Sequence, residues 1–192
     1  MSKKTIAILL IVIAALGIGG IIGYQKYQVH QQQLAEQQAE QEFKEYWNNE
    51  VRPILNKHSV IENDFWTTMR NSGGKQFDNI FSDLNRIKSS NIDLKQQLIE
   101  VQANAKNDKQ RLVSDDAKAY LDIFYNIVSD GITFFEQQKL FQANENYNDE
   151  KAEEARIARD AANDRIKTNR EKIPELVKKI REDAGLPETS EE

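Results

Sequence analysis

The chain has 192 residues, a formal net charge of -5 and no cysteine. The absence of cysteine excludes disulfide bonds and a lipid attached to an N-terminal cysteine. Charges of both signs are mixed along the sequence, which excludes the clustered lysine and arginine of nucleic-acid-binding proteins, so we expect no nucleic-acid partner. The part that follows the apolar N-terminal run is long enough for one domain with a buried core.

An uncharged apolar run, Thr5 to Gly23, follows Lys3 and Lys4. Because a bilayer core about 30 Å thick needs roughly 20 apolar helical residues, the run predicts a transmembrane anchor over residues 5–24, with the lipid bilayer as a partner. A cleavable signal peptide is the alternative, but its apolar region is about 7 to 15 residues long. Since this run continues through Ile21 and Ile22, we expect a retained signal-anchor.

Positive charge before the run predicts the orientation of the chain. Lys3 and Lys4 precede the run, whereas Lys26 is followed by glutamines with Glu36 and Glu40. Because lysine and arginine are retained on the cytoplasmic side, residues 1–4 are expected to form a cytoplasmic tip that leaves no room for an internal domain. The rest would lie outside the cytoplasm. The short, lysine-led anchor favours a bacterial cell (inner) membrane protein.

Three small residues within the run, Ala15, Gly19 and Gly23, recur every four positions and share one helix face. Small residues at this spacing let two membrane helices approach closely, which predicts a transmembrane association face and a homo-oligomer. The alternative is that glycine is simply common in membrane helices.

A glutamine-rich segment, residues 25–42, follows the run and reads as a polar stalk. Glutamine, alanine, leucine and glutamate favour a helix that continues from the anchor. A disordered linker is the alternative, because low-complexity glutamine tracts often stay unfolded.

Residues 43–186 show helical spacing of apolar residues throughout, and alternating strand patterns are absent. The first stripe runs from Phe43 to Met69, with a kink or restart predicted at Pro53 and a capping box at Ser59 and Glu62. Residues 71–74, with two glycines, predict its end. A second seam runs from Phe77 to Ala105, either as one helix or broken at residues 89–91.

The third segment, with a predicted N-terminal cap at residues 114–116, carries the widest apolar surface and is expected at the centre of the bundle. A turn at residues 144–149 precedes a fourth helix that ends near Gly185, with a bend at Pro174. Residues 187–192 read as an acidic tail. The sequence therefore predicts an all-α fold with an antiparallel bundle of about four helices, which we favour over an extended coiled coil.

Four polar residues occupy inward positions of the predicted helices: His58, Asn91, Gln138 and Asn169. Such residues can form a polar core layer that fixes helix register, or they can line a ligand cavity. We expect His58 to be a structural histidine with locally bonded nitrogens. The alternative is an imidazole that titrates in the physiological range.

The sequence offers no recognisable catalytic motif, no metal-ligand cluster and no cofactor-binding motif, so we expect a protein that is not an enzyme and has no cofactor. The predicted function is a structural or accessory one, in which the extracytoplasmic bundle binds another envelope protein or envelope component. The alternative is a small-molecule-sensing bundle that acts through a partner protein.

Overall fold

The computed structural model describes the backbone of residues 3–146 and 148–186 and the side chains of residues 24–146 and 148–186. All regular structure within these ranges is helical, which confirms the all-α prediction. The elements are α1 (Lys3–Tyr46), a π-helical turn (Trp47–Val51), α2 (Arg52–Arg70), α3 (Phe77–Ala103), α4 (Asp108–Asn144) and α5 (Asp149–Asp183).

The chain divides into two compact units, Met1–Lys44 and Glu45–Glu192. In the first unit the predicted stalk is helical, and residues 24–42 are solvent-exposed on every face. Among the side chains that the structure describes, no helix is long and apolar enough to cross a bilayer. The side chains of the predicted anchor, including Ala15, Gly19 and Gly23, lie outside the described ones, so the anchor and its association face stay predictions.

The helix does not restart at Pro53, because the backbone stays helical from Glu45 to Arg70, and the irregularity in this stretch is a π-helical turn. The π-helical turn Trp47–Val51 comes just before α2, and Pro53 lies in the first turn of that helix. Pro53 has no N–H to donate, and the N–H of Arg52 just before it donates to the carbonyl of Trp47, five residues back, as in a π-helix. The capping box is wrong, since Ser59 lies inside α2 and its hydroxyl donates to the carbonyl of Asn56 at 2.8 Å.

The second unit is a four-helix bundle in which sequence neighbours are antiparallel. Side-chain pairs show this, because partners run in opposite directions along α3 and α4 and along α4 and α5. The pairs are Asp64–Arg86 between α2 and α3, Asp78–Lys139 and Lys95–Asp122 between α3 and α4, and Asp130–Arg165 and Asp116–Lys179 between α4 and α5. For α2 and α3 a second contact completes the direction, since the hydroxyl of Tyr46, before α2, donates to the carbonyl of Val101 near the end of α3. Helix α4 packs against α2, α3 and α5, which confirms its central place.

The seam of α3 is buried from Ile80 to Leu98, and its end positions, Phe77 and Val101, are half-buried. Its buried residues are Ile80, Leu84, Ile87, Asn91, Leu94 and Leu98. Because the helix continues through residues 89–91, the alternative of a break at that point is wrong. The seam meets Phe65 of α2 and Phe124, Ile127, Val128 and Phe135 of α4 in the central hydrophobic cluster.

Helix α4 begins earlier than predicted. Its N-cap is Asn107, whose side-chain oxygen accepts from the backbone N–H of Gln110 at 2.9 Å. The predicted cap at residues 114–116 is wrong: Ser114 lies in the helix interior and donates to the carbonyl of Gln110 at 3.0 Å. Burial of Gln110 and Val113 explains the earlier start, because this extra turn packs into the bundle.

Replacing Asn107 with alanine is expected to lower the free energy of unfolding by about 1 kcal/mol, because the N–H of Gln110 loses its acceptor. Urea denaturation of the full chain measures this. The matched control is Asn107→Asp, which keeps a capping oxygen and should stay within about 0.5 kcal/mol of the parent. Equal losses in both variants would contradict the assigned cap.

Helix α5 begins and ends with the predicted kinds of residue. The side chain of Asn148 caps its start by accepting from the N–H of Lys151 at 3.0 Å. At its end Gly185 has φ +68°, and the N–H of Leu186 donates to the carbonyl of Arg181 at 2.9 Å, which is a Schellman motif. The helix continues through Pro174.

Gly131 permits the close packing of α4 against α2. A Cβ atom at this position would lie 2.9 Å from Cε2 of Phe65, whose side chain is fully buried. Gly131→Ala is therefore expected to lower the free energy of unfolding by about 1 to 2 kcal/mol net, because the steric clash outweighs a gain in helix propensity of about 1 kcal/mol. Gly73→Ala is the control, because its Cβ would meet nothing within 4 Å. A stability gain at Gly131 would contradict this close approach.

Candidate functional site

The structure brings together two of the four predicted polar core residues. His58 and Asn91 are completely buried, with 0% exposure each. Gln138 and Asn169 are half-buried and pair at the surface, Gln138 with Arg159 at 2.9 Å and Asn169 with Lys172 at 3.2 Å. His58 packs on Tyr120 and Phe124 of α4, whereas Gln138 lies about 20 Å further along that helix.

His58 lies between two aromatic rings of α4. Its ring centroid is 4.6 Å from that of Tyr120 and 4.6 Å from that of Phe124, with interplanar angles of 67° and 86°. Neither Nδ1 nor Nε2 has a hydrogen-bond partner among the described residues. The expectation of locally bonded nitrogens is wrong, because the imidazole lies on the apolar stripe of α2 and packs against two aromatic rings.

Glu62 lies one turn after His58 on α2 and, unlike the imidazole, makes hydrogen bonds to its neighbours. Its Oε2 accepts from the hydroxyl of Tyr120 at 2.6 Å, and its Oε1 accepts from the indole Nε1 of Trp66 at 3.4 Å. The guanidinium of Arg170, on α5, lies 4.7 Å from the centroid of the Trp66 ring. The Tyr120–Glu62 bond thus joins α4 to α2 beside the buried histidine.

Asn91 reaches the same stretch of α4 from α3. Its Nδ2 donates to the backbone carbonyl of Leu121 at 3.0 Å, and its Oδ1 has no partner among the described residues. We use the name His58 cluster for His58, Glu62, Asn91, Tyr120 and Phe124. These residues contribute three buried polar atoms without partners among the described residues, and two interhelical hydrogen bonds, from Asn91 to Leu121 and from Tyr120 to Glu62.

Burial controls the protonation of this cluster. Desolvation lowers the pKa of His58 from 6.5 to about 4, against the opposing charge of Glu62, so the imidazole is neutral at pH 7. Burial, together with the neighbouring Glu62 carboxylate, raises the pKa of the Tyr120 phenol, which therefore remains a donor.

His58 and Tyr120, the two groups of the cluster with shifted pKa values, are both neutral at pH 7. The His58 pKa lies well below neutrality, and that of Tyr120 lies above its usual value, so neither group is matched to acid–base catalysis at pH 7. Within residues 24–146 and 148–186, no group of three or more His, Cys, Asp or Glu side chains could hold a metal ion.

Sequence reasoning missed Glu62 and Tyr120 as members of the site. Glu62 has the i+4 spacing that places it on the same face as His58, but its match to a capping box hid this relation. Tyr120 appears in the sequence as one aromatic residue among several on α4. Its bond to Glu62 joins residues 58 positions apart, which local spacing does not reveal.

Removing the Tyr120 hydroxyl tests the hydrogen bond from Tyr120 on α4 to Glu62 on α2. Tyr120→Phe is expected to lower the free energy of unfolding at pH 7 by about 2 kcal/mol, because a hydrogen bond to a carboxylate is lost. Tyr125→Phe is the matched control, since that ring lies under Lys88 and the substitution keeps it. Equal small effects of both substitutions in urea denaturation would show that the Tyr120–Glu62 hydrogen bond contributes little to stability.

Comparison with known proteins gives no match to this chain among family models, curated proteins or solved structures. The fold and the His58 cluster therefore define its class: a helical protein whose second unit is an antiparallel four-helix bundle with a buried histidine.

Proposed function

We propose that the chain is a single-pass membrane protein whose extracytoplasmic helical bundle binds another envelope protein or envelope component. The observation that carries this proposal is the uncharged run from Thr5 to Gly23, which Lys3 and Lys4 precede directly and which the single Lys26 follows. The length of α1 supports it, because 44 helical residues extend about 66 Å, enough for a span followed by a stalk.

Charge placed in the run tests the anchor. Leu10→Lys together with Ile13→Lys is expected to release the protein from carbonate-washed membranes, because each central lysine costs roughly 3 kcal/mol in lipid. The matched control is Val29→Lys with Leu34→Lys, on exposed stalk positions, which should stay membrane-bound. Release of the parent protein itself, or a mass lacking the run, would refute a retained anchor.

Protease accessibility tests the orientation. Protease added outside intact spheroplasts is expected to digest the bundle, with a cytoplasmic marker protein left intact as the control. Protection of the bundle until the membrane is lysed would reverse the proposed orientation.

Exposed aliphatic side chains on α3 support a binding role for the bundle. Ile92 and Ile99 are 47% and 38% exposed, and seven positions separate them, so they share one face of the helix. A photo-crosslinker at either position in living cells is expected to capture the same protein. Gln97, also exposed and on another face of α3, is the control position. Equal capture at all three positions, or none at any, would count against binding through this face.

The second candidate function, small-molecule sensing through a partner, is favoured by one observation. Nδ1 and Nε2 of His58 and Oδ1 of Asn91 are buried without partners among the described residues, and a polar ligand could satisfy them. A metabolite that raises the melting temperature of the full chain, but not that of His58→Leu, would favour sensing. No such metabolite in a broad panel would favour protein binding.

A further inference from the structure

Two contacts next to His58 hold α2 against α4. The first is aromatic, in which the rings of Tyr120 and Phe124 pack against the imidazole at steep interplanar angles. The second is polar, in which the Tyr120 hydroxyl donates to Glu62. Both contacts depend on an uncharged imidazole. The aromatic contact buries the imidazole among apolar rings, where a charge is unfavourable. The polar contact uses the Glu62 carboxylate as the acceptor for Tyr120, so this carboxylate does not pair with a charged His58.

A protonated His58 does not fit this arrangement. The imidazolium would have two N–H donors, and neither ring nitrogen meets an acceptor among the described residues. An uncompensated charge in an apolar interior is strongly unfavourable. The charged imidazole can be stabilised by exposure to water or by an ion pair with Glu62. The ion pair would break the hydrogen bond between this carboxylate and Tyr120.

We propose that the His58 cluster is an acid-sensitive latch, in which uptake of a proton by the imidazole releases α2 from α4 at Tyr120 and Phe124. The proton comes from solvent, no covalent bond changes, and return to neutral pH closes the latch. The latch is a property of the bundle itself and holds for either function considered above.

The groups that face His58 determine whether acid opens or closes the contact between α2 and α4. On α2 the charged group that acts on the imidazole is Glu62, whose attraction is weaker than the effect of burial. From α4 the facing groups are the neutral phenol of Tyr120 and the ring of Phe124. From α3 the polar residue at this level is Asn91, which is uncharged. Burial therefore dominates, and acid favours the open state.

Hydrogen–deuterium exchange of the full chain in a mild detergent tests the latch. With a closed-state pKa of about 4 and an ordinary value of 6.5 when open, the open state should be about 20-fold more populated at pH 5 than at pH 7. After correction for intrinsic exchange rates, amides of α2 around His58 are expected to show this acceleration. Amides in the middle of α5 should not, because α5 packs on α4.

His58→Leu provides the decisive variant, because leucine fills the site and does not titrate. We expect the acid-induced acceleration of α2 to vanish in His58→Leu and to persist in His30→Gln, which removes the other histidine of the chain. The proposal is overturned if His58→Leu keeps the acceleration, if the parent shows none, or if all four bundle helices accelerate equally.

A measurement on the unmodified chain keeps the proposal testable if His58→Leu fails to fold. The chain has two histidines, so the NMR signals of their ring protons can be followed separately. The His58 signal and the exchange of α2 amides should change with one common midpoint below pH 6.5. Opening of α2 at a pH where the His58 signal has not moved would overturn the latch.

Discussion

Replacing Phe124 with alanine is expected to lower the free energy of unfolding by about 3 to 5 kcal/mol, the largest loss from any single substitution considered for this bundle. Phe124 is completely buried at the centre of the hydrophobic cluster. Its ring meets the rings of His58 and Phe65, both on α2, with centroid distances of 4.6 and 5.7 Å. Truncation removes buried area and leaves a cavity where α2 meets α4.

Urea denaturation of the full chain, followed by the circular dichroism of its helices, measures this loss. Phe141→Ala is the matched control, because it makes the same chemical change on α4 at a half-buried position beside Arg159. Helix propensity changes alike in both variants, so the difference between them reports packing. An equal loss at Phe141 would show that the centre of the bundle does not lie at Phe124.

The course of the helices was predictable because their apolar periodicity agrees with their burial. The seam from Ile80 to Leu98 repeats every three or four residues, and the structure buries these inward positions along α3. The two glycines at residues 73–74 and the asparagine-rich turn before α5 also fall where helices end or begin. Local chemistry and packing give the same answer in these segments.

The start of α4 was not predictable in this way, because the sequence offers two acceptable caps. Asn107 and Ser114 both have side chains that can cap a helix. The choice depends on the burial of Gln110 and Val113 against the rest of the bundle. A tertiary contact of this kind leaves no local signal, and the composition of residues 114–116 alone favours a cap at that point.

The polar core residues also divide into those whose burial the sequence predicts correctly and those whose burial depends on neighbouring helices. His58 and Asn91 lie on helices with neighbours on several sides, and both are fully buried. Asn169 also lies on a seam, but α5 packs mainly on α4, so the flank of its seam stays half-exposed. Periodicity identifies the face of a helix, whereas the number of neighbouring helices decides how much of that face is covered.

The buried imidazole predicts a dependence of global stability on pH. Because the pKa of His58 is about 4 in the folded state and 6.5 when unfolded, the unfolded chain binds more protons between these values. Stability is therefore fully present above pH 6.5 and is lost as the pH falls toward 4. The expected loss that is due to His58 is about 3 kcal/mol, a large fraction of the total stability of a typical domain.

Comparison with His58→Leu isolates this contribution, because carboxylates also titrate at acid pH and affect both proteins alike. The free energy of unfolding of the parent minus that of His58→Leu should fall by about 3 kcal/mol from pH 7 to pH 4. At pH 7 the variant should be at least as stable as the parent, because the unpartnered imidazole nitrogens carry a desolvation cost. A difference that is independent of pH would mean that the His58 ring finds an acceptor or water in the folded protein.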